Sequence, residues 1–166
     1  MARDVEIVEH IPHLRRYALA LLRDRDAADD LVQDCLERAL SRWRLFRGGG
    51  SPRAWLFTIM HNLHVNAVKR RAVGAAAVDG TANGVNVAPT QDQRLEVLSV
   101  ARALERLPPE QREIVLMIGL EQLSYAEAAA AVGVPIGTVM SRLHRGRERL
   151  RSLIADGSEP RLTRVK

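Results

Sequence analysis

A central segment, residues 72–93, contains no leucine, isoleucine or aromatic residue, and this gap constrains the fold more than any other feature. The segment is rich in glycine, alanine, asparagine and threonine, so it offers no periodic apolar face that a core could bury. We interpret it as a flexible linker. Each flanking segment must then build its own core from about 70 residues, which is enough for a small domain.

Apolar residues recur at helical spacing on both sides of the linker, whereas strand-like alternation appears on neither side. The pattern predicts an all-α chain: two small helical domains joined by a flexible linker, the C-terminal one a helix-turn-helix. We expect one domain over residues 1–71, the linker at 72–93, a second domain over 94–155 and a polar tail at 156–166. An apolar fraction of 46% is sufficient for both cores.

Three helices are expected in the N-terminal domain. The first begins at Pro12, and the second follows Asp26, whose carboxylate can cap free N–H groups. The third begins after Ser51 and runs to about residue 71. The apolar stripe of the second helix is predicted to consist of Leu31, Val32, Cys35, Leu36, Ala39, Leu40 and Trp43.

The segment from Ser124 to Arg151 has the features of a helix-turn-helix. Ser124 and Glu127 match a capping box, alanines continue a short helix that another helix can approach closely, and Gly133 ends it. The outer face of the next helix is polar and basic, and it carries Thr138, Ser141, Arg142, Arg145 and Arg149. Such a face fits the major groove, with base edges at its start and phosphates further along. A merely solvated basic helix is the alternative, but the capping box and turn at this spacing favour DNA.

Charge is distributed unevenly along the chain, whose formal net charge is +5. Six acidic residues and one basic residue lie between positions 24 and 37, whereas residues 51–71 contain no acidic residue. A DNA-facing surface would not be so acidic, so we expect the first segment to meet a protein and the second to meet nucleic acid. Ordinary helix N-terminal charge would explain Asp26, Asp29 and Asp30 but not Asp34.

Several kinds of site are not expected. Cys35 is the only cysteine, so neither a disulfide nor a cysteine-based zinc site can form. His61 and His64 lie three residues apart without a third ligand nearby, so we predict no metal site and interpret them as surface or DNA-backbone residues. No cofactor motif or catalytic arrangement is present. The charged N-terminal run and the absence of a long apolar stretch predict a cytoplasmic protein without membrane insertion.

The two domains together resemble the extracytoplasmic-function (group IV) sigma factors of bacterial RNA polymerase. RDRDAADDLVQDCLERAL (23–40) and SPRAWLFTIMHNLHVNAVKRR (51–71) resemble sigma region 2, and LPPEQREIVLMIGLEQLSYAEAAAAVGVPIGTVMSRLHRGRERLR (107–151) resembles region 4. The resemblance implies a non-catalytic subunit. Region 2 would bind the polymerase core and open the minus-10 element of promoter DNA, and region 4 would hold the minus-35 element.

The resemblance also assigns roles to individual residues. Polymerase contacts are implied for Asp30, Leu31, Gln33, Asp34 and Arg38. Minus-10 contacts are implied for Arg47, Ser51, Arg53, Asn62, Asn66, Lys69, Arg70 and Arg71, and minus-35 contacts for the five polar and basic residues of the second helix-turn-helix helix. The loop at 47–51 matches the family's base-capture loop, but its triple glycine is less usual, so its base contacts can differ.

An anti-sigma factor is a further partner that the resemblance implies. GVPIGTVMSRL and IPHLRRYALALLRDRDAADDLVQD are most similar to the general-stress branch of alphaproteobacteria. The alternative is a stand-alone helix-turn-helix transcriptional regulator with an N-terminal partner-binding domain, which would bind duplex DNA alone and act beside another sigma factor. An enzyme is a distant third hypothesis.

Overall fold

The computed structural model describes residues 6–46, 49–74 and 91–158, and the regular structure in these ranges is entirely helical, as predicted. After one helical turn at residues 6–8, the helices in chain order are α1 (Ile11–Leu22), α2 (Arg25–Arg42), α3 (Pro52–Val73), α4 (Gln91–Glu105), α5 (Pro109–Val115), α6 (Tyr125–Val132) and α7 (Ile136–Ser158). A 3₁₀ turn, Trp43–Leu45, follows α2, and a π-helical turn, Leu116–Leu120, extends α5. The predicted linker, 72–93, falls largely on residues outside the described ranges.

Polar caps set the starts of the N-terminal helices. The cap of α2 is Asp24, whose extended backbone lets its Oδ1 accept hydrogen bonds from the N–H groups of Asp26 (3.0 Å) and Ala27 (3.2 Å). The prediction of Asp26 as the cap was therefore wrong, because this residue already lies in the first turn. Ser51 caps α3 as predicted, since its hydroxyl accepts from the Ala54 N–H at 3.4 Å.

The helices α1, α2 and α3 pack around an apolar core in which the rings of Tyr17 and Phe57 meet edge to face, 5.1 Å apart. Cys35 is fully buried, as its place on the apolar stripe predicted. Leu40 is 54% exposed, so its prediction as a core residue was wrong. Buried positions 28, 31, 32, 35 and 39 define the centre of the stripe, and Leu40 lies 100° beyond it on the helix surface.

In the C-terminal half, α6 and α7 form the helix-turn-helix, and α5 packs against α7. Both hydrogen bonds of the capping box are present, at 3.1 Å to the Ser124 hydroxyl and 2.8 Å to the Glu127 carboxylate. Gly133 has a left-handed backbone, with φ of +71°. Gly146 is buried where α7 crosses α5, and a Cβ there would lie 2.7 Å from Cγ2 of Val115. The glycine therefore permits the close approach of the two helices.

The two halves share one hydrophobic core rather than standing apart. Ala128 and Ala131 on the small-residue face of α6 are buried, and α6 packs against α3 of the other half. The π-helical turn after α5 contacts α1. The small side chains that the sequence placed in α6 thus admit a helix from the N-terminal half.

Candidate nucleic-acid and protein interfaces

The outer face of α7 presents a basic stripe. Ser141, Arg145 and Arg149 are exposed and follow one another at four-residue intervals, so they lie along one side of the helix. Thr138 and Arg142 flank them and are half-buried. The five residues that the sequence proposed as minus-35 contacts therefore occupy one continuous surface of the second helix-turn-helix helix. Its geometry suits entry into a major groove.

The last two-thirds of α3 form a second polar and basic surface. Asn62, Asn66, Lys69, Arg70 and Arg71 are all exposed. Two other predicted minus-10 residues have partners within the protein: Ser51 caps α3, and Arg53 pairs with Glu121 as described below. Arg47 lies outside the described residues.

Three aromatic side chains cluster beside the start of α3. The ring of Trp43 lies 5.5 Å from Phe46 and 5.9 Å from Trp55, and Phe46 lies 5.1 Å from Trp55. All three residues are half-buried. Aromatic faces in this position, next to the predicted base-capture loop, can stack on unpaired bases if one ring turns outward.

The acidic face of α2 is largely available for a partner. Asp30, Gln33, Asp34 and Arg38 are exposed, and the Gln33 amide donates to Glu37 at 3.2 Å. Leu31 differs, because its side chain belongs to the core and only 8% of the residue is exposed. Leu31 thus supports this face from within the core, and the polymerase contact that the resemblance implies for it stays a prediction.

A cavity of about 280 Å³ separates the acidic face of α2 from the basic end of α3. Asp30 and Asp34 line one side, and Arg70 and Arg71 line the other, with His64 between them. Burial lowers the pKa of His64, although the nearby Glu113 carboxylate acts in the opposite direction. His64 is half-buried rather than fully exposed at the surface, and its alternative interpretation as a DNA-backbone contact stays a prediction.

A buried carboxylate connects the two halves. The side chain of Glu121, directly after the π-helical turn, has no exposed surface, yet it meets three basic side chains from the N-terminal half. Arg16 donates hydrogen bonds to both carboxylate oxygens, with Nε 2.8 Å from Oε1 and Nη2 3.1 Å from Oε2. His13 Nδ1 lies 3.1 Å from Oε2, and Arg53 Nη2 lies 3.3 Å from the same oxygen and also donates to the Glu121 carbonyl. We call these four residues the Glu121 cluster.

Two further pairs of acidic and basic side chains connect the halves, and they have the same orientation as the Glu121 cluster. His61 Nδ1 lies 2.8 Å from Oε1 of Glu113, and Arg23 Nη1 lies 3.0 Å from Oε1 of Glu105. In each pair the carboxylate belongs to the C-terminal half and the basic side chain to the N-terminal half. His61 is thus an interdomain residue, and its interpretation as a surface residue was wrong.

Two buried polar atoms near these charges, the Tyr17 hydroxyl and Arg53 Nε, have no hydrogen-bond partner among the described residues. Tyr17 is fully buried. Burial raises the pKa of this phenol well above its ordinary value, and the nearby Glu113 and Glu121 act in the same direction. Tyr17 is therefore a neutral side chain that packs in the core next to the interdomain ion pairs.

The sequence analysis missed the Glu121 cluster, although a signal was present. Glu113 and Glu121 interrupt the apolar run EIVLMIGLEQL, so helical periodicity would place them near a core. A carboxylate in such a place needs cationic partners. Those partners could not be identified because they lie 52 to 108 positions earlier in the chain, on other helices.

None of the described helices is both long and apolar enough to cross a membrane. Within the same ranges, histidine, cysteine and carboxylate side chains do not gather in groups of three or more that could hold a metal ion.

The fold and these surfaces define a two-part helical protein with a C-terminal helix-turn-helix and separate basic and acidic faces. Residues 7–61 match the family model described as "Sigma2 domain of PhyR", and residues 98–150 match "Sigma-70, region 4". The chain is 38% identical over 156 residues to the ECF RNA polymerase sigma factor EcfG of Rhodopseudomonas palustris (strain TIE-1), covering 93% of this chain and 86% of that one. The chain belongs to the ECF RNA polymerase sigma factor family.

Solved structures extend the similarity to the arrangement of the halves. The sigma factor RpoE of Bartonella quintana, solved in complex with the anti-sigma factor NepR, is 35% identical with a TM-score of 0.80, covering 93% of this chain and 97% of that one. Agreement over both halves at this score requires a similar relative placement. The anti-anti-sigma factor PhyR of Bartonella quintana, solved with NepR, shares the fold at 17% identity and a TM-score of 0.60, covering 90% of this chain and 49% of that one.

Proposed function

We propose that this protein binds the core of bacterial RNA polymerase and directs transcription initiation from specific promoters. The acidic face of α2 meets the polymerase, the basic surface of α3 reads the minus-10 element, and the stripe on α7 reads the minus-35 element. The separation of acidic and basic surfaces on different helices carries this proposal. A protein that only bound DNA would have no use for a carboxylate face that repels phosphates.

The individual contacts follow from the chemistry of the exposed side chains. On α3, Asn62 and Asn66 offer amide groups that can pair with base edges, while Lys69 and the arginines after it neutralise phosphates. On α7, Ser141 and Thr138 lie near the start of the helix, where base edges are within reach, and Arg145 and Arg149 follow. The protein acts as a transcription factor in the cytoplasm, where the polymerase operates, and supplies no catalytic group of its own.

An anti-sigma factor is the other partner we propose. Support comes from the similarity to a sigma factor that was solved with the anti-sigma factor NepR. The relationship to EcfG is consistent with the general-stress branch of the family that the sequence suggested.

A second candidate function has one observation in its favour. The N-terminal half matches a domain model described from PhyR, and a PhyR structure is described as that of an anti-anti-sigma factor. A protein of that kind would bind an anti-sigma factor and would not need DNA contacts. The exposed basic stripe on α7 and the acid-free α3 favour the promoter-binding function instead.

Charge reversal on the two surfaces separates the proposed roles. We expect Asp34→Arg to weaken binding to purified polymerase core at least about tenfold, because the carboxylate would become a repelling cation. We expect the double variant R142E/R145E to bind the core normally and to lose minus-35 DNA about a hundredfold, from about 1–3 kcal/mol at each contact. Fluorescence anisotropy with labelled core or labelled DNA measures both quantities.

Asp156→Arg, at an exposed position near the end of α7, provides the matched control for the change of charge. It should leave the affinity for the core unchanged. Equal loss of core binding in D34R and in R142E/R145E would contradict the division of roles.

A further inference from the structure

We propose that a phosphate of promoter DNA binds in a basic cavity between α2 and α3, and that Arg38 is one of its ligands. The cavity has a volume of about 400 Å³ and is lined by Arg38, Leu63, Asn66, Lys69 and Arg70. The inference rests on the proposed function and changes the role of one residue within it. The family resemblance implies a polymerase contact for Arg38, whereas its place in the fold assigns it to nucleic acid.

The groove between α2 and α3 changes its charge along its length. Asp30, Asp34 and Arg38 follow one another at four-residue intervals, so they lie along one side of α2. The two aspartates line the cavity of about 280 Å³ described above, and Arg38 lines the next cavity along the groove. Arg70 lines both cavities and therefore lies at the boundary between them. Arg38 thus belongs to the basic part of the groove and not to the acidic face.

The cations of the basic cavity are available for an anionic ligand. The Arg38 guanidinium and the Lys69 ammonium are exposed, and neither has an ion-pair or hydrogen-bond partner among the described residues. In Arg70, Nε donates to the backbone carbonyl of Asn66 at 3.4 Å, which leaves its two Nη groups for a ligand. None of the described residues that line the cavity is acidic. Planar guanidinium groups beside an ammonium suit the oxygens of a phosphate.

The position of the cavity indicates that the phosphate comes from DNA. Asn62, Asn66 and Lys69 are exposed at helical spacing on one side of α3, so the cavity lies on the side proposed to read the minus-10 element. Lys69 lies about 10 Å further along the helix axis than Asn62, which corresponds to about three base pairs. A polymerase surface that satisfies the aspartates of α2 must be basic there, and such a surface would repel Arg38.

Charge reversals one helical turn apart on α2 test the assignment. Holoenzyme is assembled from purified core and either the parent or Arg38→Glu, and it is titrated onto a labelled duplex taken from upstream of a transcript that the parent makes. We expect R38E to bind the duplex at least about tenfold more weakly, because a charge-assisted contact is lost. Its affinity for labelled core should equal that of the parent. Asp34→Arg should show the opposite pattern, with the main loss in core binding.

Two further measurements identify the ligand as a phosphate. Arg38→Ala should lower the slope of log affinity against log salt concentration by about one, and it should weaken binding equally to a duplex with scrambled motifs. Arg38→Lys should recover most of the affinity, since an ammonium also binds phosphate as a point charge. Arg15→Glu, at an exposed position on α1, is the control for the change of charge and should leave both affinities unchanged.

Each outcome supports or overturns the inference. Weaker binding of the core by R38E overturns it, because Arg38 would then contact the polymerase. Unchanged affinity for DNA overturns it, and so does a loss confined to the duplex with intact motifs, since the ligand would then be a base. Circular dichroism checks the helices of R38E, and R38A carries the same comparison if they are lost.

Failure of the proposed function remains distinguishable from failure of this site. If the parent forms no holoenzyme with the core, the proposed function fails. The free proteins are then compared on a labelled duplex of mixed sequence at low salt, where R38E must still bind more weakly than R15E. Equal binding of R38E and R15E in that comparison overturns the phosphate site as well.

Discussion

Single residues show how burial fixes the chemical character of a side chain. Cys35 and Glu121 are both fully buried, yet they differ in the partners that the fold provides. The Cys35 thiol has an apolar environment and donates weakly to the carbonyl of Leu56 at 3.5 Å. Glu121 has two arginines and a histidine around it, and its hydrogen bonds raise the pKa of Arg16. Cys35 is therefore inert, whereas Glu121 is bound by polar and basic partners.

Cys35 should be unreactive in the folded protein. Burial raises the pKa of its thiol from 9.0 to about 12, so almost no thiolate is available to an alkylating reagent. We expect iodoacetamide at mildly alkaline pH to react at least about a hundredfold more slowly with native protein than with protein in guanidinium. Mass spectrometry follows the reaction, and an introduced Ser41→Cys thiol serves as the exposed control. Equal rates in native and denatured protein would contradict this account.

The same pKa shift affects stability at high pH. The folded state disfavours the thiolate, so the contribution of Cys35 is fully present below pH 9.0 and is lost as the pH rises towards about 12.

At the scale of helices, sequence patterns were most informative where a local cause decides the structure. The capping box at Ser124, the turn at Gly133 and the cap at Ser51 depend on neighbouring residues only, and all three were predicted correctly. The predicted cap of α2 was two residues too late, because aspartates at positions 24 and 26 are both suitable N-cap residues and the sequence does not distinguish them. Leu40 was misassigned because a residue at the edge of a helical stripe is buried only if a neighbouring helix extends over it.

Gly146 should be essential for the packing of α7 against α5. An added Cβ would lie 2.7 Å from Cγ2 of Val115, whose branched side chain has little freedom to move. We expect Gly146→Ala to lower the free energy of unfolding by about 1–3 kcal/mol, as overpacking does. Gly137→Ala in the same helix meets no atom within 4 Å and should be neutral or stabilising by up to about 1 kcal/mol.

Urea denaturation followed by circular dichroism measures both free energies. If G146A is as stable as G137A, the close approach of α7 and α5 is not maintained in solution.

At the scale of the whole molecule, the sequence predicted the parts better than their assembly. The all-α class, the helix-turn-helix and the charge polarity follow from local periodicity and composition. The contact between halves does not, because it pairs Glu121 with Arg16 and Arg53, which are remote in sequence. The acidic face of α2 and the basic surfaces of α3 and α7 define what the protein can bind. The packing of the two halves defines how the two DNA surfaces are placed relative to each other.

Transcription in a purified system tests the central claim most directly. The protein is combined with purified polymerase core and a pool of genomic fragments from its source, and the RNA products are sequenced. We predict transcripts that start downstream of one shared pair of upstream motifs, and we predict that D34R and R142E/R145E both abolish them. Absence of RNA synthesis, or synthesis only when another sigma factor is added, would contradict the account.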